Sequence, residues 1–402
     1  MLSTAKLGTL EVSRIGFTCY AMSGAYGPED PAKWESLIRE AHARGVTFFD
    51  ASEAYGQAEE ILGRAVASFR DKVVIASKVG FAASGERDAS RGRVVAACEG
   101  SLGRLGTDRV DLYQVEFEDP TTPVAETIEA LEGLRAQGKI REYGVGHLPL
   151  AVLREYCALG RPASMLVELS AAMRAAMKDI LPYLGERGGA GGGAAADPNS
   201  RPAAVAISPT GRGLLTGAIT AETRFAPTDI RAVDPLFTRA KLVSALRVRD
   251  RLAEVGGRLG RTPVQTAIAW ALAQPGIQAT LTGPTRVDLL EENLGALGWE
   301  FPPQELTDLA SFLAAEDKRV MLESLTAAQE IVAGPLCREG DAAYRDLLYA
   351  METAVELGEL PEEDIVPLVM RLLKVRQETG GRYDPSLEEL REELGRMALM
   401  EQ

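Results

Sequence analysis

Two short segments carry side chains that belong together chemically. FFDASEAYG places Asp50 at the end of an apolar run and Tyr55 five residues on, and IASKVGF places Lys78 at the end of the next run. A phenol with an ordinary pKa of about 10 is a poor acid at neutral pH. A neighbouring ammonium favours its ionised form, and an aspartate holds that ammonium in place. Asp50, Tyr55 and Lys78 therefore read as a phenolic proton donor with its tuning partners. Taken singly, each has a plainer reading: a helix cap, a rim aromatic, a solvated charge. All three at two successive run ends are hard to produce by accident.

Such residues need a frame that gathers the ends of runs at one place. Eight short β-branched runs alternate with amphipathic helical patterns: Ile15–Tyr20, Thr47–Ser52, Val73–Gly80, Val110–Phe117, Glu142–His147, Met165–Ser170, Ala204–Pro209 and Ile277–Gly283. Helices are predicted over Pro31–Arg44, Gln57–Phe69, Ser90–Leu105, Pro123–Gln137, Pro149–Leu159, Ala240–Leu259 and Pro263–Gln274. Eight βα units of this size close into an α/β fold, the (β/α)8 TIM barrel, whose chemistry sits at the C-terminal strand ends. Leu2–Ser13, with Gly8 between two short runs, reads as an N-terminal hairpin outside the barrel.

Composition bounds the rest. The 402 residues are 46% hydrophobic and 25% charged, with 40 Gly and 21 Pro, which excludes collagen, wholesale disorder and a disulfide scaffold. Cys19, Cys98, Cys157 and Cys337 lack metal-ligand spacing, and two histidines, His42 and His147, argue against a zinc site, so no metal is expected. Without an apolar stretch of about 20 residues or a leader-like start, a cytoplasmic protein is expected. Net charge is −14, and residues 316–402 hold 20 acidic against 10 basic side chains. That surface repels polyanions, so neither nucleic acid nor an acidic membrane is an expected partner; a small-molecule substrate is.

The charge break also marks a boundary: a barrel over residues 1–310 and an acidic helical appendage over 311–402. Within the appendage, Ala342–Leu357, Pro361–Glu378 and Pro385–Met400 carry helical spacing, with Asp341 and Asp384 as N-caps. It reads as a packing or homo-oligomer-forming element, or as a segment shaping the active-site mouth. The Gly/Ala-rich stretch at 187–202 lacks apolar periodicity and is predicted to be a flexible loop, a bulge or a lid.

Over about Leu7–Phe301 the sequence resembles the aldo-keto reductase family, through IGFTCYAMSGAYGP, FFDASEAYG, VVIASKVGF, DLYQVEFEDP, ISPTGRGLLTG and LTGPTRVDLLEEN. The resemblance implies a barrel with NADP(H) across its C-terminal face, a hydride passed to a carbonyl and a tyrosine supplying the proton. Asp50, Tyr55 and Lys78 match three of the family's four catalytic positions, whereas Glu116 stands in place of the usual histidine. The same exchange resembles that of steroid double-bond reductases, which reduce a C=C conjugated to a ketone. As an acid Glu116 must be protonated, because a carboxylate there would repel a developing oxyanion.

The resemblance also assigns the cofactor positions. The phosphate loop is present as Ser208, Pro209, Gly211, Arg212, Gly213, Leu214, Thr216 and Gly217, and the segment after the last strand as Gly283, Thr285, Arg286, Glu292 and Asn293. Arg286 is expected to pair with a 2′-phosphate. The nicotinamide end departs from the family: Gly146-His147 for Ser-Asn, Leu166 for Gln, Ile207 for the stacking Tyr and Thr18 for a glycine. Thr18, Tyr20, His147, Leu166 and Ile207 are the expected walls of the substrate or nicotinamide pocket. Three readings stay open: an NADPH-dependent reductase of a conjugated C=C or an unusual ketone or imine, with the ring end weakly held; a non-redox isomerase, dehydratase or lyase using Tyr55, Lys78 and Glu116, the dinucleotide absent or structural; and an inactive binding or scaffold protein.

Overall fold

The computed structural model describes residues 2–27, 30–81, 87–185, 201–237 and 239–333. The expected loop at 187–202, apart from Arg201 and Pro202, and the three helices predicted between Ala342 and Met400 lie outside the described residues.

A two-stranded antiparallel hairpin comes first, β1 (Thr4–Leu7) and β2 (Leu10–Ser13). Eight parallel strands follow: β3 (Ile15–Thr18), β4 (Phe48–Asp50), β5 (Val74–Val79), β6 (Val110–Val115), β7 (Ile140–Gly146), β8 (Ser164–Glu168), β9 (Ala203–Ile207) and β10 (Ile277–Thr282). They close in sequence order, with β10 pairing β3. This is the (β/α)8 barrel. The helices are α1 (Pro31–Ala43), α2 (Ala58–Val66), α3 (Arg91–Leu105), α4 (Val124–Ala136), α5 (Leu150–Leu159), α6 (Ile180–Gly185), α7 (Arg239–Leu259), α8 (Pro263–Leu272), α9 (Val287–Leu294) and α10 (Pro303–Ala333).

Local chemistry explains these bounds. Strands β5 and β6 are buried at every position, as parallel strands covered on both faces must be. Ser90 accepts from the Arg93 amide to start α3, and Thr262 with Gln265 forms a capping box at α8, with Pro263 in its first turn. The hairpin closes the barrel floor: Leu7, Leu10 and Val12 join Phe48, Val74, Leu112 and Val205 in one core cluster. Its turn is pinned by Glu142, whose Oε1 accepts from the Thr9 amide at 2.9 Å and the Thr9 hydroxyl at 2.6 Å. Gly8 there has φ 59°, and a Cβ would come within 2.9 Å of Ala163 Cβ, so glycine is required on both counts.

The chain divides into two compact units. Met1–Ile219, Arg224–Ala232 and Leu252–Pro302 make the first, which holds the barrel; Thr220–Thr223, Val233–Arg251 and the chain from Pro303 belong to the second. Helix α10 runs unbroken through residue 310, the expected boundary. Inside the second unit α7 and α10 are tied by Glu316, 1% exposed, which accepts from Arg247 Nε at 2.7 Å and the Ser244 hydroxyl at 3.1 Å. No helix among the described residues is long and apolar enough to cross a membrane.

Candidate active site

Strand ends do bring the sequence-predicted residues together. Asp50 ends β4 and lies in register with Thr18 at the end of β3; Lys78 is the fifth residue of β5, and Glu116 follows β6 directly. Tyr55 sits in the turn before α2, where its amide donates to the Ser52 carbonyl at 3.0 Å. The Lys78 ammonium donates to Asp50 Oδ1 at 2.5 Å and to the Ala51 carbonyl at 3.2 Å, and it lies 4.6 Å from the centre of the Tyr55 ring. The Tyr55 hydroxyl donates to Glu116 Oε1 at 3.3 Å. All four side chains are buried.

Burial governs the protonation states. It pushes the Tyr55 phenol well above its ordinary value, with the charges of Glu116 and Asp50 adding to the shift. That corrects the expectation that the ammonium eases ionisation: Lys78 faces the ring, while the hydroxyl faces a carboxyl group. Burial likewise raises the Glu116 carboxyl above the ordinary range, Lys78 opposing and Asp50 reinforcing the change. Burial thus favours the protonated forms of both groups, and the phenol becomes an effective acid only where a bound substrate or cofactor stabilises the charge left behind.

These residues open into a cavity of about 750 Å³. Its walls include Thr18, Tyr20, Asp50, Tyr55, Lys78, Glu116, His147, Leu166 and Ile207 at the reaction end. Ser208, Arg212, Gly213 and Thr216 follow, then Gly283, Thr285, Arg286, Glu292 and Asn293. Gly211 and Leu214 are not among the lining residues, and the Leu214 side chain is fully buried beneath the loop. Arg286 forms two bonds to Asp288, at 2.9 and 2.7 Å, on an exposed surface, so any phosphate there meets an arginine already paired.

Backbone conformation marks the same cavity. Among the described residues, the non-glycine positions with positive φ are His147 at 49°, Ser208 at 55° and Arg212 at 53°, and all three line it. Each costs on the order of 1–3 kcal/mol, and strain of this kind concentrates at binding and catalytic sites. His147 stacks on Phe117, ring centres 4.7 Å apart and planes 14° apart. Burial lowers its pKa to about 4, helped by the charges of Lys78 and Arg212, so its imidazole is neutral at neutral pH.

Several wall residues escaped the sequence reading. Glu168, which pairs with Arg212, ends β8, and Phe117 follows β6 beside Glu116, so the strand-end rule that found Asp50 could have found both. Tyr26 comes from a turn and Arg231, 4.9 Å over the Tyr26 ring and held by Asp229, from the short 3-10 turn Ile230–Ala232, neither with a periodic pattern. Among the described residues no cluster of His, Cys, Asp and Glu could hold a metal ion.

A closed (β/α)8 barrel with buried Asp50, Tyr55, Lys78 and Glu116 gathered at its strand ends is the class of protein that fold and site define. The family model described as "Aldo/keto reductase family" matches residues 14–314, and the chain belongs to that family. It is 31% identical over 315 residues to aldo-keto reductase YhdN of Bacillus subtilis, covering 76% of this chain and 91% of the relative. It is also 31% identical over 319 residues to aldo-keto reductase str7 of Strobilurus tenacellus, covering 76% and 90%. Among solved structures, the glycerol dehydrogenase AKR11B4 of Gluconobacter oxydans superimposes with a TM-score of 0.68 at 26% identity, covering 78% of this chain and 95% of that one. Family and fold together support an oxidoreductase activity, and members of the family generally use NAD(P)H.

Proposed function

We propose that the protein is an NADP(H)-dependent reductase acting on a C=C conjugated to a ketone, or on an unusual ketone or imine. The observation that carries this reading is the 3.3 Å bond from Tyr55 to a buried Glu116 at the mouth of a cavity that continues to Arg286. The residues fit the cofactor best at its phosphate end. The loop through Ser208, Gly211, Arg212 and Gly213 holds four positive-φ residues, and Ser208, Arg212 and Gly213 line the cavity. Gly283, Thr285, Arg286, Glu292 and Asn293 would take the adenosine end, with Arg286 exchanging Asp288 for a 2′-phosphate. At the ring end Gly146, Leu166 and Ile207 offer no hydrogen-bonding side chain, so the hold there is weaker.

When bound, the dinucleotide supplies the hydride. In its protonated form, which burial favours, Glu116 hydrogen-bonds the substrate carbonyl and polarises the conjugated system. Tyr55 supplies the proton from its hydroxyl, and Asp50 fixes Lys78 beneath its ring. A non-redox proton-transfer enzyme is the second reading, favoured by the apolar Leu166 and Ile207 walls. NADPH consumption across a panel of enones, 2-cyclohexen-1-one among them, ketones and imines tests the first reading: it requires consumption with at least one of them, and consumption with none rules it out.

A further inference from the structure

We propose that Thr18 is a positioning residue: by occupying one oxygen of Asp50, its hydroxyl keeps the Lys78 ammonium over the face of Tyr55. Its consequence for turnover rests on the reductase reading; its structural content does not.

The two Asp50 oxygens serve different donors. Oδ1 takes Lys78 at 2.5 Å and Oδ2 takes the Thr18 hydroxyl at 2.7 Å. That hydroxyl accepts from the Tyr20 amide at 3.3 Å, which directs its own proton toward Asp50. Strand pairing sets Thr18 directly opposite Asp50, so the contact is built into the register of β3 and β4.

A buried carboxylate tolerates an unpaired oxygen poorly. With Asp50 1% exposed, removal of the Thr18 hydroxyl leaves Oδ2 without its donor, and the ammonium of Lys78 is the other side chain bonded to this carboxylate. The carboxylate then turns to share Lys78 between both oxygens. This draws the ammonium off the Tyr55 ring, from which it now stands 4.6 Å. Thr18 thus acts through Asp50 and Lys78 on the proton donor.

The test is an NMR measurement on the full-length protein with labelled lysine. Protons next to the Lys78 ammonium are shifted upfield by the Tyr55 ring; Lys78→Met assigns the signal and Tyr55→Leu calibrates its loss. Thr18→Ser is expected to keep the shift, and Thr18→Val and Thr18→Ala each to lose at least half of it. In turnover of NADPH with 2-cyclohexen-1-one, Thr18→Val is expected to lower kcat about tenfold, more than it changes KM, with Thr18→Ser near wild type. A full upfield shift in folded Thr18→Val and Thr18→Ala overturns the proposal. Should the wild-type protein turn over no carbonyl acceptor, the reductase reading falls while the NMR shift still decides the role of Thr18.

Discussion

The hydroxyl of Tyr55 points at Glu116, 3.3 Å away, and the ammonium of Lys78 lies against its ring. The phenol is therefore held as a hydrogen-bond donor, its proton retained by burial and by the facing carboxyl group. Removal of the hydroxyl alone, in Tyr55→Phe, is expected to lower turnover about 10²-fold or more, the usual size of a lost general acid. The thermal transition should stay within a few degrees of wild type. Steady-state kinetics beside a melting curve checks both.

Glu116 ties pH to stability. Its folded-state pKa lies above the ordinary carboxylate value, so the folded protein binds this proton more tightly than the unfolded chain. That contribution is full below the ordinary carboxylate range and is lost as pH rises through the raised folded value. Denaturant unfolding at a series of pH values should show this loss in the wild-type protein and a flatter profile in Glu116→Gln.

The imidazole of His147 has the opposite sign. Its pKa falls from 6.5 to about 4 on folding, so stability is full above 6.5 and is lost as pH drops toward 4. With only two histidines in the chain, imidazole NMR can follow each, and His42→Gln leaves the signal of His147 alone. A midpoint near 4 is expected; one near 6.5 would mean that the ring is solvated and not stacked against Phe117.

Much of this architecture was readable in advance because each barrel strand is a short apolar run. Asp50 and Lys78 were placed by being the polar residues at the ends of such runs, and Tyr55 by its spacing from Asp50. What the runs do not encode is how side chains meet across strands. The bond from Thr18 to Asp50 depends on the register of β3 against β4, and the pairing of Arg212 with Glu168 joins a loop to the end of β8. The segment that brings Arg231 to Tyr26 has no periodic pattern. The Arg286–Asp288 pair joins residues two apart in the sequence, but adjacency alone does not tell a bonded pair from two solvated charges.

That pair sets the expected cofactor preference. Arg286 and Asp288 are both largely exposed, so their bond is weak in solvent and a 2′-phosphate can compete for the guanidinium. Arg286→Ala should weaken NADPH binding about tenfold and leave NADH nearly unchanged, whereas Asp288→Asn should tighten NADPH. Fluorescence titration with both dinucleotides reads the difference.

The most direct measurement follows deuterium from the reactive position of labelled NADPH into product, with 2-cyclohexen-1-one as acceptor for the wild-type protein and a simple aldehyde for Glu116→His. The expected result is label on the carbon β to the ketone with the wild-type protein. With Glu116→His, activity on the enone falls and label appears at the carbonyl carbon of the aldehyde. Intact NADPH and unlabelled products with both proteins, across a panel of enones, ketones and imines, would contradict hydride transfer at this site.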